Sequence, residues 1–249
     1  MMENVEVLKK AVSLLGFMAR KNQPVGVSEL SRGLVLPKTT VHRILTTLCL
    51  DNVIIRAEGG LYKIGPTVLL WSSGYKFATA LIDIARPWLE RLRDESQETV
   101  HLSVYEHGRA QYAERLDSPQ TVVLRWSRLG MALPLYCTAA GRAVLAVLPQ
   151  EELDEYLTKT ELTPRTAATI TDPDELKKML SRFRIQGYAE EIEENEEDIR
   201  CVGAAIKNGR GYPVAAISLT APSFRFTGEQ AAVFGKKIAR SAMEISALL

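Results

Sequence analysis

The spacing of apolar residues between positions 36 and 48 predicts an α-helix with two different faces. One stripe repeats with the helical period and consists of Val41, Ile44, Leu45 and Leu48. A second face has the same spacing and carries hydroxyls, an imidazole and a guanidinium, from Thr39, His42, Arg43 and Thr46. Pro37 suits the first helical position, where its missing N–H leaves no hydrogen bond unmade. The apolar stripe therefore predicts a buried face, and the polar face is free to bind a partner.

The polar face has the composition of a helix that reads the major groove of DNA. Threonine hydroxyls reach phosphates and base edges, and an arginine can donate two hydrogen bonds to one guanine. We predict that the major groove is contacted by Thr39, Thr40, His42 and Arg43. The phosphates are expected to be bound by Lys38 and Arg56. An ordinary surface helix without a DNA role is the alternative, because such helices also carry a polar face.

The segments around this helix favour the DNA-binding interpretation. Upstream, a second helix is expected over residues 27–32, and a first amphipathic helix is predicted from Val5, Leu8, Val12 and Leu15. Downstream, a β-branched run at 52–56 and a returning run at 61–64 flank Gly59-Gly60, which is the pattern of a hairpin. Three short helices followed by a hairpin predict a winged helix-turn-helix domain.

Charge is distributed unevenly along the chain. Residues 1–76 contain ten basic and five acidic residues, a balance of +5, whereas the whole chain is +1 and the remainder is therefore −4. A basic segment is the electrostatic signature of a nucleic-acid binder, and the acidic remainder points to a second task.

Length and composition exclude several other classes of protein. A chain of 249 residues can form two modest domains, and 46% hydrophobic with 24% charged residues is ordinary for a globular protein. No apolar run approaches the roughly 20 residues that span a bilayer, and no signal peptide is expected. Three widely spaced cysteines predict a reducing compartment, and the three histidines lack metal-ligand spacing with them. We expect a cytoplasmic protein with no cofactor, metal site or membrane association.

The rest of the chain predicts helices mixed with antiparallel strands. Helices are expected over residues 67–76, 80–95, 138–147, 173–186 (capped by Asp172) and 228–249. Strands are expected over residues 99–105, 109–116, 120–126, 201–207 and 212–219, with turns at His107-Gly108 and 208–211. This order favours an α+β domain with an antiparallel sheet. We predict a DNA-binding domain at 1–66, a linker helix at 67–79 and an effector-binding domain at 80–249.

A binding site for an anion is predicted where the helix at 139 begins. Its first amides are unpaired and its dipole favours negative charge, while the small side chains of Ala139 and Ala140 allow close approach. Ser218 and Thr220 are two apart on a strand and share a face, and Cys201 lies on the other strand of that hairpin. Ser218 and Thr220 facing solvent, with Cys201 in the core, is the alternative.

An enzymatic role for Cys201, with His101 as its base, is a second alternative. A catalytic cysteine needs a nearby base and an electropositive setting. The preceding run at 190–198 is strongly acidic, which raises a thiol pKa instead of lowering it. We therefore predict no catalytic residue and no enzymatic activity, and we interpret the acidic run as a solvated face without metal-ligand spacing.

Several short motifs together resemble one family, the IclR family of bacterial transcription regulators, along nearly the whole chain. The matching pieces, in chain order, are the residues at 36–43, 62–65, 98–102, 133–143, Gly187-Tyr188, Cys201 and 216–222. Each piece is weak alone, whereas their order is specific. Two positions differ from the family pattern, because Val35 and Asp198 stand where the family favours glycine. We expect Gly33 to absorb the turn before the recognition helix.

The resemblance implies a winged helix, a connecting helix and a GAF/PAS-like effector domain, assembled as dimers and often as pairs of dimers. It places the effector contacts at Ala139, Ala140, Glu191, Cys201, Ser218 and Thr220. An apolar lid over the effector, or else core or interface, is expected from Trp126, Leu129, Met131 and Tyr136. Part of a dimer contact is expected from the apolar segment 68–71 together with Tyr75 and Phe77.

The sequence thus predicts a regulator that binds operator DNA and responds to a small organic acid, with a repressor favoured over an activator. A small-molecule-binding protein or a cysteine-dependent enzyme, without a DNA-binding role, is the alternative from another class.

Overall fold

The computed structural model describes residues 5–74, 76–120 and 127–249. The chain divides into two compact units, Met1–Lys76 and Phe77–Leu249, and each is described by itself. Most of the strand predicted at 120–126, together with Tyr75 and Trp126, lies outside the described residues. In the part of the chain that is described, no helix is both long and apolar enough to cross a membrane.

The first unit is a winged helix-turn-helix, as predicted. Its elements are helices α1 (Glu6–Lys21), α2 (Val27–Leu34) and α3 (Lys38–Leu50), strands β1 (Ile54–Arg56) and β2 (Tyr62–Ile64), and helix α4 (Thr67–Gly74). The two strands pair antiparallel, and Gly59 and Gly60 between them have φ values of 68° and 73°. Only a residue without a Cβ adopts those values at no steric cost, so the double glycine permits the tight wing.

Helix α3 buries the stripe that its sequence predicts. Val41, Ile44 and Leu45 are buried and Leu48 is half-buried, and they pack with Leu14 of α1 in one core. Pro37 is the residue before the first turn, not the first helical residue, with φ −56° and ψ 139°. The shift by one residue leaves the fixed φ of proline compatible with the helix start.

Helix α1 does not bury the face that its predicted apolar stripe indicates. The helix forms, but Val5, Leu8 and Val12 are exposed, and of the predicted stripe only Leu15 packs against the core, which is filled by Leu14 and Met18. Apolar residues occur on more than one face of α1, so the helical period does not by itself select the buried face. An exposed apolar row on α1 therefore remains uncovered within this unit.

The turn between α2 and α3 is made by Val35, not by Gly33. Val35 has left-handed backbone angles, φ 53° and ψ 45°, at the C-cap of α2, a conformation that is unfavourable for a β-branched residue. Gly33 is helical, and a Cβ there would lie 2.3 Å from the Phe17 ring. The expectation that Gly33 absorbs the turn is wrong, because that glycine instead lets α1 and α2 approach.

The second unit is an α+β domain with one antiparallel sheet, as predicted. In chain order it contains α5 (Lys76–Ser96), β3 (Thr99–Glu106), β4 (Arg109–Leu116), β5 (Ala132–Leu133), α6 (Ala139–Val147), α7 (Gln150–Lys159), α8 (Pro173–Gln186), β6 (Ala189–Ile192), β7 (Ile199–Lys207), β8 (Pro213–Pro222) and α9 (Gly228–Ser246). The strand order is β5-β4-β3-β8-β7-β6, and every neighbouring pair is antiparallel.

Local signals place most of these elements correctly. Asp172 accepts hydrogen bonds from two amides at the start of α8, and His107 and Gly108 have positive φ in the turn between β3 and β4. Three elements, β5, β6 and α7, are absent from the sequence prediction. Strand β6 overlaps the start of the acidic run that we interpret as solvated, and that interpretation is wrong for Glu191 and Glu194, which are buried.

The two faces of the sheet have different coverings. One face is apolar and packs against α5 and α9 in a single large core. The other face carries small and polar side chains and packs against α6, which is buried along almost its whole length. The second face is where the predicted effector residues converge.

Candidate DNA-reading helix and effector pocket

The predicted DNA-contacting residues lie on the exposed side of the winged helix-turn-helix. On α3, Lys38, Thr39, His42 and Arg43 are exposed, and Thr40 is half-buried. Arg56 is exposed at the end of β1. Among the described residues, the side chains of Lys38, Arg43 and Arg56 form no ion pair. These cations are therefore available to neutralise phosphates or to read base edges.

Two threonines of α3 bond within the helix itself. The Thr47 hydroxyl donates to the Arg43 carbonyl at 3.0 Å, and the Thr46 oxygen lies 3.5 Å from the Nδ1 atom of His42. Such bonds to residues four positions earlier fix the side chains along one side of the helix.

The six residues predicted to bind the effector all line one small cavity of about 30 Å³. A cavity of this size holds only one or two water molecules, since about 10–15 Å³ is the minimum for one, so a larger ligand requires the walls to move apart. Six further residues line it that the sequence prediction missed, namely Tyr112, Ser127, Thr138, Asn195, Glu196 and Ile199. Thr138 could have been found as the cap of the predicted helix.

The N-terminus of α6 is one wall of this cavity. The Thr138 hydroxyl caps the helix by accepting from the Gly141 amide at 3.2 Å, while it donates to the Pro134 carbonyl at 2.6 Å. On β7, a Cβ at Gly203 would lie 2.9 Å from the backbone nitrogen of Ala140. The glycine therefore lets the start of α6 rest directly on the sheet, where its amides favour a negative charge.

Three side chains of β7 and β8 form the floor. Cys201 lies opposite Thr220 in the register of the two strands, and its thiol donates to the Thr220 hydroxyl at 3.3 Å. Ser218 lies opposite Gly203, and both Ser218 and Thr220 are buried. The alternative in which these hydroxyls face solvent is wrong.

Glu191 provides the most unusual group in the cavity. Its Oε1 atom accepts hydrogen bonds from the amides of Glu194, at 2.6 Å, and Asn195, at 3.1 Å. The side chain is 2% exposed, and burial raises its pKa to about 7 against the opposing effect of those hydrogen bonds. Near neutral pH this carboxyl group can therefore either accept or donate a hydrogen bond.

A buried ion pair holds the loop that carries these amides. Arg142 of α6 is fully buried and forms a bidentate pair with Glu194, while its Nε donates to the Tyr136 carbonyl at 2.7 Å. Glu194 also accepts from the Ile170 amide at 3.1 Å. Arg142 therefore acts on the cavity through Glu194, whose own amide binds Glu191.

The geometry argues against a cysteine nucleophile. Burial raises the pKa of the Cys201 thiol well above its usual value, and the negative charge of Glu191 adds to that shift. Neither ring nitrogen of His101 has a hydrogen-bond partner among the described residues, so the structure shows no hydrogen bond between His101 and the thiol. Thiolate formation, which a catalytic cysteine requires, is disfavoured here.

The lid prediction receives no support from the residues that are described. Leu129 is exposed, and Tyr136 is a core residue whose hydroxyl donates to the Thr163 carbonyl at 2.8 Å. Met131 is half-buried against the same core. None of the three lines the cavity.

A winged helix-turn-helix joined in one chain to a domain with an enclosed polar pocket is the architecture of a ligand-responsive transcription regulator. Two family models match the chain: the IclR helix-turn-helix domain over residues 7–49, and the bacterial transcriptional regulator IclR C-terminal domain over residues 75–247. The chain belongs to the IclR family of transcription regulators.

Individual relatives agree with this assignment along nearly the full length. The transcriptional repressor IclR of Escherichia coli is 32% identical over 245 residues, which cover 97% of this chain and 89% of that protein. The regulator KipR of Bacillus subtilis is 31% identical, covering 95% and 94%. The crystal structure of the Thermotoga maritima IclR has a TM-score of 0.80 at 33% identity and covers 99% of each chain. The class of protein is therefore a DNA-binding regulator with an effector domain.

Proposed function

We propose that this protein is a repressor that binds operator DNA and changes its affinity for that DNA when a small organic acid occupies the effector pocket. The observation that carries the proposal is the convergence of Ala139, Ala140, Glu191, Cys201, Ser218 and Thr220 on one cavity. The division of labour is 1–66 for DNA, 67–79 as linker and 80–249 for the effector. The protein has no catalytic role and acts in the cytoplasm, where the operator lies.

We assign each DNA contact from the chemistry of the exposed side chain, with hydrogen-bonding groups of α3 on base edges and two cations on phosphates. Thr39, Thr40, His42 and Arg43 contact the major groove, and Lys38 and Arg56 bind phosphates. Arg43→Ala should weaken operator binding by about 1–3 kcal/mol and relax base preference, whereas Lys38→Ala should weaken binding to all sequences alike. Fluorescence anisotropy at fixed salt, with operator and scrambled duplexes, measures both. Unchanged operator affinity in Arg43→Ala would reject this assignment of the reading helix.

Assembly as a homodimer follows from the small surface of one winged helix, since two half-sites are needed for high specificity. Support comes from exposed apolar side chains on α4, namely Leu69, Leu70 and Trp71, and from the uncovered row on α1. A further pairing of dimers is an additional proposal. Sedimentation should give a dimer or tetramer at micromolar concentration, and Leu69→Glu should shift it toward the monomer. A wild-type monomer, with and without DNA, would contradict the proposal.

For the effector, a carboxylate is held by the Ala139 and Ala140 amides with the Ser218 and Thr220 hydroxyls. Glu191 accepts a hydrogen bond from a hydroxyl or amide of the ligand, because two facing carboxylates repel unless one is protonated. The E. coli relative named above is a repressor. The structure of an IclR homologue from Microbacterium hydrocarbonoxydans contains 4-hydroxybenzoate. At 24% identity, this similarity supports the fold of the present chain and not its ligand.

The effector proposal is tested by a thermal-shift screen of organic acids followed by calorimetric titration. Ser218→Val should lose most of its affinity for any acid that stabilises the wild type, whereas Ser181→Val, at an exposed serine of α8, should not. Equal affinities of Ser218→Val and wild type would place the pocket elsewhere. The effect on DNA must also be reciprocal: operator DNA changes acid affinity by the factor by which the acid changes operator affinity.

A further inference from the structure

His101 on β3 is a buried polar side chain that the effector proposal does not use. It is 1% exposed, and within the described part of the chain neither Nδ1 nor Nε2 has a hydrogen-bond partner. Leaving a buried donor or acceptor unpaired is unfavourable, and such a group in a native protein calls for an explanation.

Its neighbours on the same strand face do have partners. The Thr99 hydroxyl accepts from the Ser118 amide at 3.1 Å, and the Ser103 hydroxyl donates to the Ala216 carbonyl at 3.2 Å. The fold therefore satisfies the polar groups two residues before and two residues after His101. The missing partner is specific to this position.

The position of His101 links it to the effector pocket. In the antiparallel register it lies directly opposite Ser218, so the two side chains leave the sheet on the same face. Its ring centroid is 5.1 Å from that of Tyr112. Ser218 and Tyr112 both line the cavity, whereas His101 does not. The imidazole thus lies just beyond the present wall, beside the Tyr112 ring.

The imidazole is neutral in this setting. Burial, together with the positive charge of Arg115, lowers the pKa of His101 to about 3. A neutral imidazole offers one N–H donor and one nitrogen acceptor. A ligand hydroxyl, which also donates and accepts, complements it, whereas an alkyl carbon leaves both ring nitrogens unpaired.

We propose that His101 is the inner, specificity-determining contact of the effector site, and that the effector is a hydroxy acid with a hydroxyl that reaches this imidazole, and not Glu191, when the Tyr112 ring moves aside. The proposal rests on the proposed function, since it needs the carboxylate at the start of α6. It names the ligand class more narrowly, because an acid lacking the hydroxyl would leave His101 as it is now, without a partner.

The test compares acids that share a skeleton and differ in one hydroxyl. Calorimetry with the full-length protein would measure 2-, 3- and 4-hydroxybutyrate against butyrate, and mandelate against phenylacetate. At least one hydroxy acid should bind the wild type roughly 10-fold or more tightly than its partner, because a site built for a hydroxyl rejects the analogue that lacks it. In His101→Phe this ratio should fall below about 3-fold, with affinity for the plain acid retained.

Two further variants keep the result interpretable. His101→Gln keeps a donor and an acceptor and should preserve part of the hydroxyl preference, and His101→Leu replaces His101→Phe if the phenyl ring prevents folding. Both apolar variants should melt at or above the wild-type temperature, because the unpaired imidazole is removed.

The outcomes separate this inference from the proposed function. If acids bind without a hydroxyl preference, or the preference survives in His101→Phe and His101→Leu, the role of His101 is wrong while the acid pocket stands. If no acid binds the wild type although it binds its operator, both the acid effector and the role of His101 are wrong.

Discussion

The two faces of the six-stranded sheet are built from alternate residues of the same strands, yet they do different work. On β8, Ile217 and Leu219 lie in the apolar core with α5 and α9. The alternate residues Ser218 and Thr220 line the pocket on the side of α6. Successive side chains of a strand point to opposite faces, so one strand supplies both environments.

The difference lies in how each face is stabilised. The apolar face gains from the removal of hydrocarbon from water, which requires no particular geometry. The pocket face buries Glu191, His101 and the Arg142–Glu194 pair, and buried polar groups are favourable only with matched partners. Both faces therefore contribute to stability, since the pocket side also packs an apolar core with α6 and α8, but only the pocket face holds polar groups that can bind a ligand.

The largest expected effect comes from Arg142→Ala on the pocket face. Removing the arginine leaves the Glu194 carboxylate buried without its partner, which should lower the free energy of unfolding by about 3–5 kcal/mol in urea titrations. Lys159→Ala, which removes the exposed Lys159–Glu155 pair, is the matched control and should leave stability nearly unchanged, because solvent screens such a pair.

A double variant sharpens the meaning of that pair. Arg142→Met with Glu194→Leu removes both charges and should recover much of the lost stability. It should still weaken binding of the acid, because Glu194 positions the amide that binds Glu191. Stability and acid affinity recovering together would show that the pair does not shape the pocket.

The next effect compares adjacent residues of β8. Leu219→Ala should destabilise the protein by about 2–5 kcal/mol, since it leaves a cavity in the core, while acid affinity measured by calorimetry changes little. Ser218→Ala should do the opposite, with a small change in stability and a clear loss of acid affinity. If the two variants behaved alike, the division of labour between the faces would be wrong.

Sequence patterns predict where helices and strands form better than they predict which side chains of these elements are buried. The hairpin glycines, the Asp172 cap and the stripe of α3 are local signals, and each is confirmed. The stripe of α1 is not, because the side that is buried depends on which neighbours pack against the helix. Strand β6 is not predicted because its glutamates look solvated. Glu191 in this strand is buried, and Glu194 just after the strand pairs with Arg142, which is 52 residues earlier in the chain.

The pocket is predictable partly from its own residues and partly by the family resemblance. Strand alternation places Ser218 and Thr220 together, and the helix start indicates the anion site. Glu191 came from the resemblance alone, because nothing local indicates that a glutamate in an acidic run is enclosed. Tyr112 and Asn195 were missed, since they reach the cavity from β4 and from the loop after β6.

The most gradual effect, at most about 1.4 kcal/mol per pH unit, is the pH dependence of stability through Glu191. Its pKa is about 7 in the folded protein and near 4.5 when unfolded, so the folded state keeps a proton that the unfolded state loses between these values. Wild-type stability due to this group is therefore greatest below about pH 4.5, falls as the pH rises toward 7 and is level above pH 7.

The variant Glu191→Gln tests this dependence, because its side chain cannot ionise but keeps the oxygen that accepts hydrogen bonds from the two amides. Relative to wild type, the variant should gain on the order of 3 kcal/mol between pH 4.5 and 8, since each pKa unit corresponds to 1.36 kcal/mol. The other titrating groups cancel when urea titrations of the two proteins are compared across this range. A difference independent of pH would show that folding leaves the pKa of Glu191 unchanged, and that the pocket face tolerates its charge.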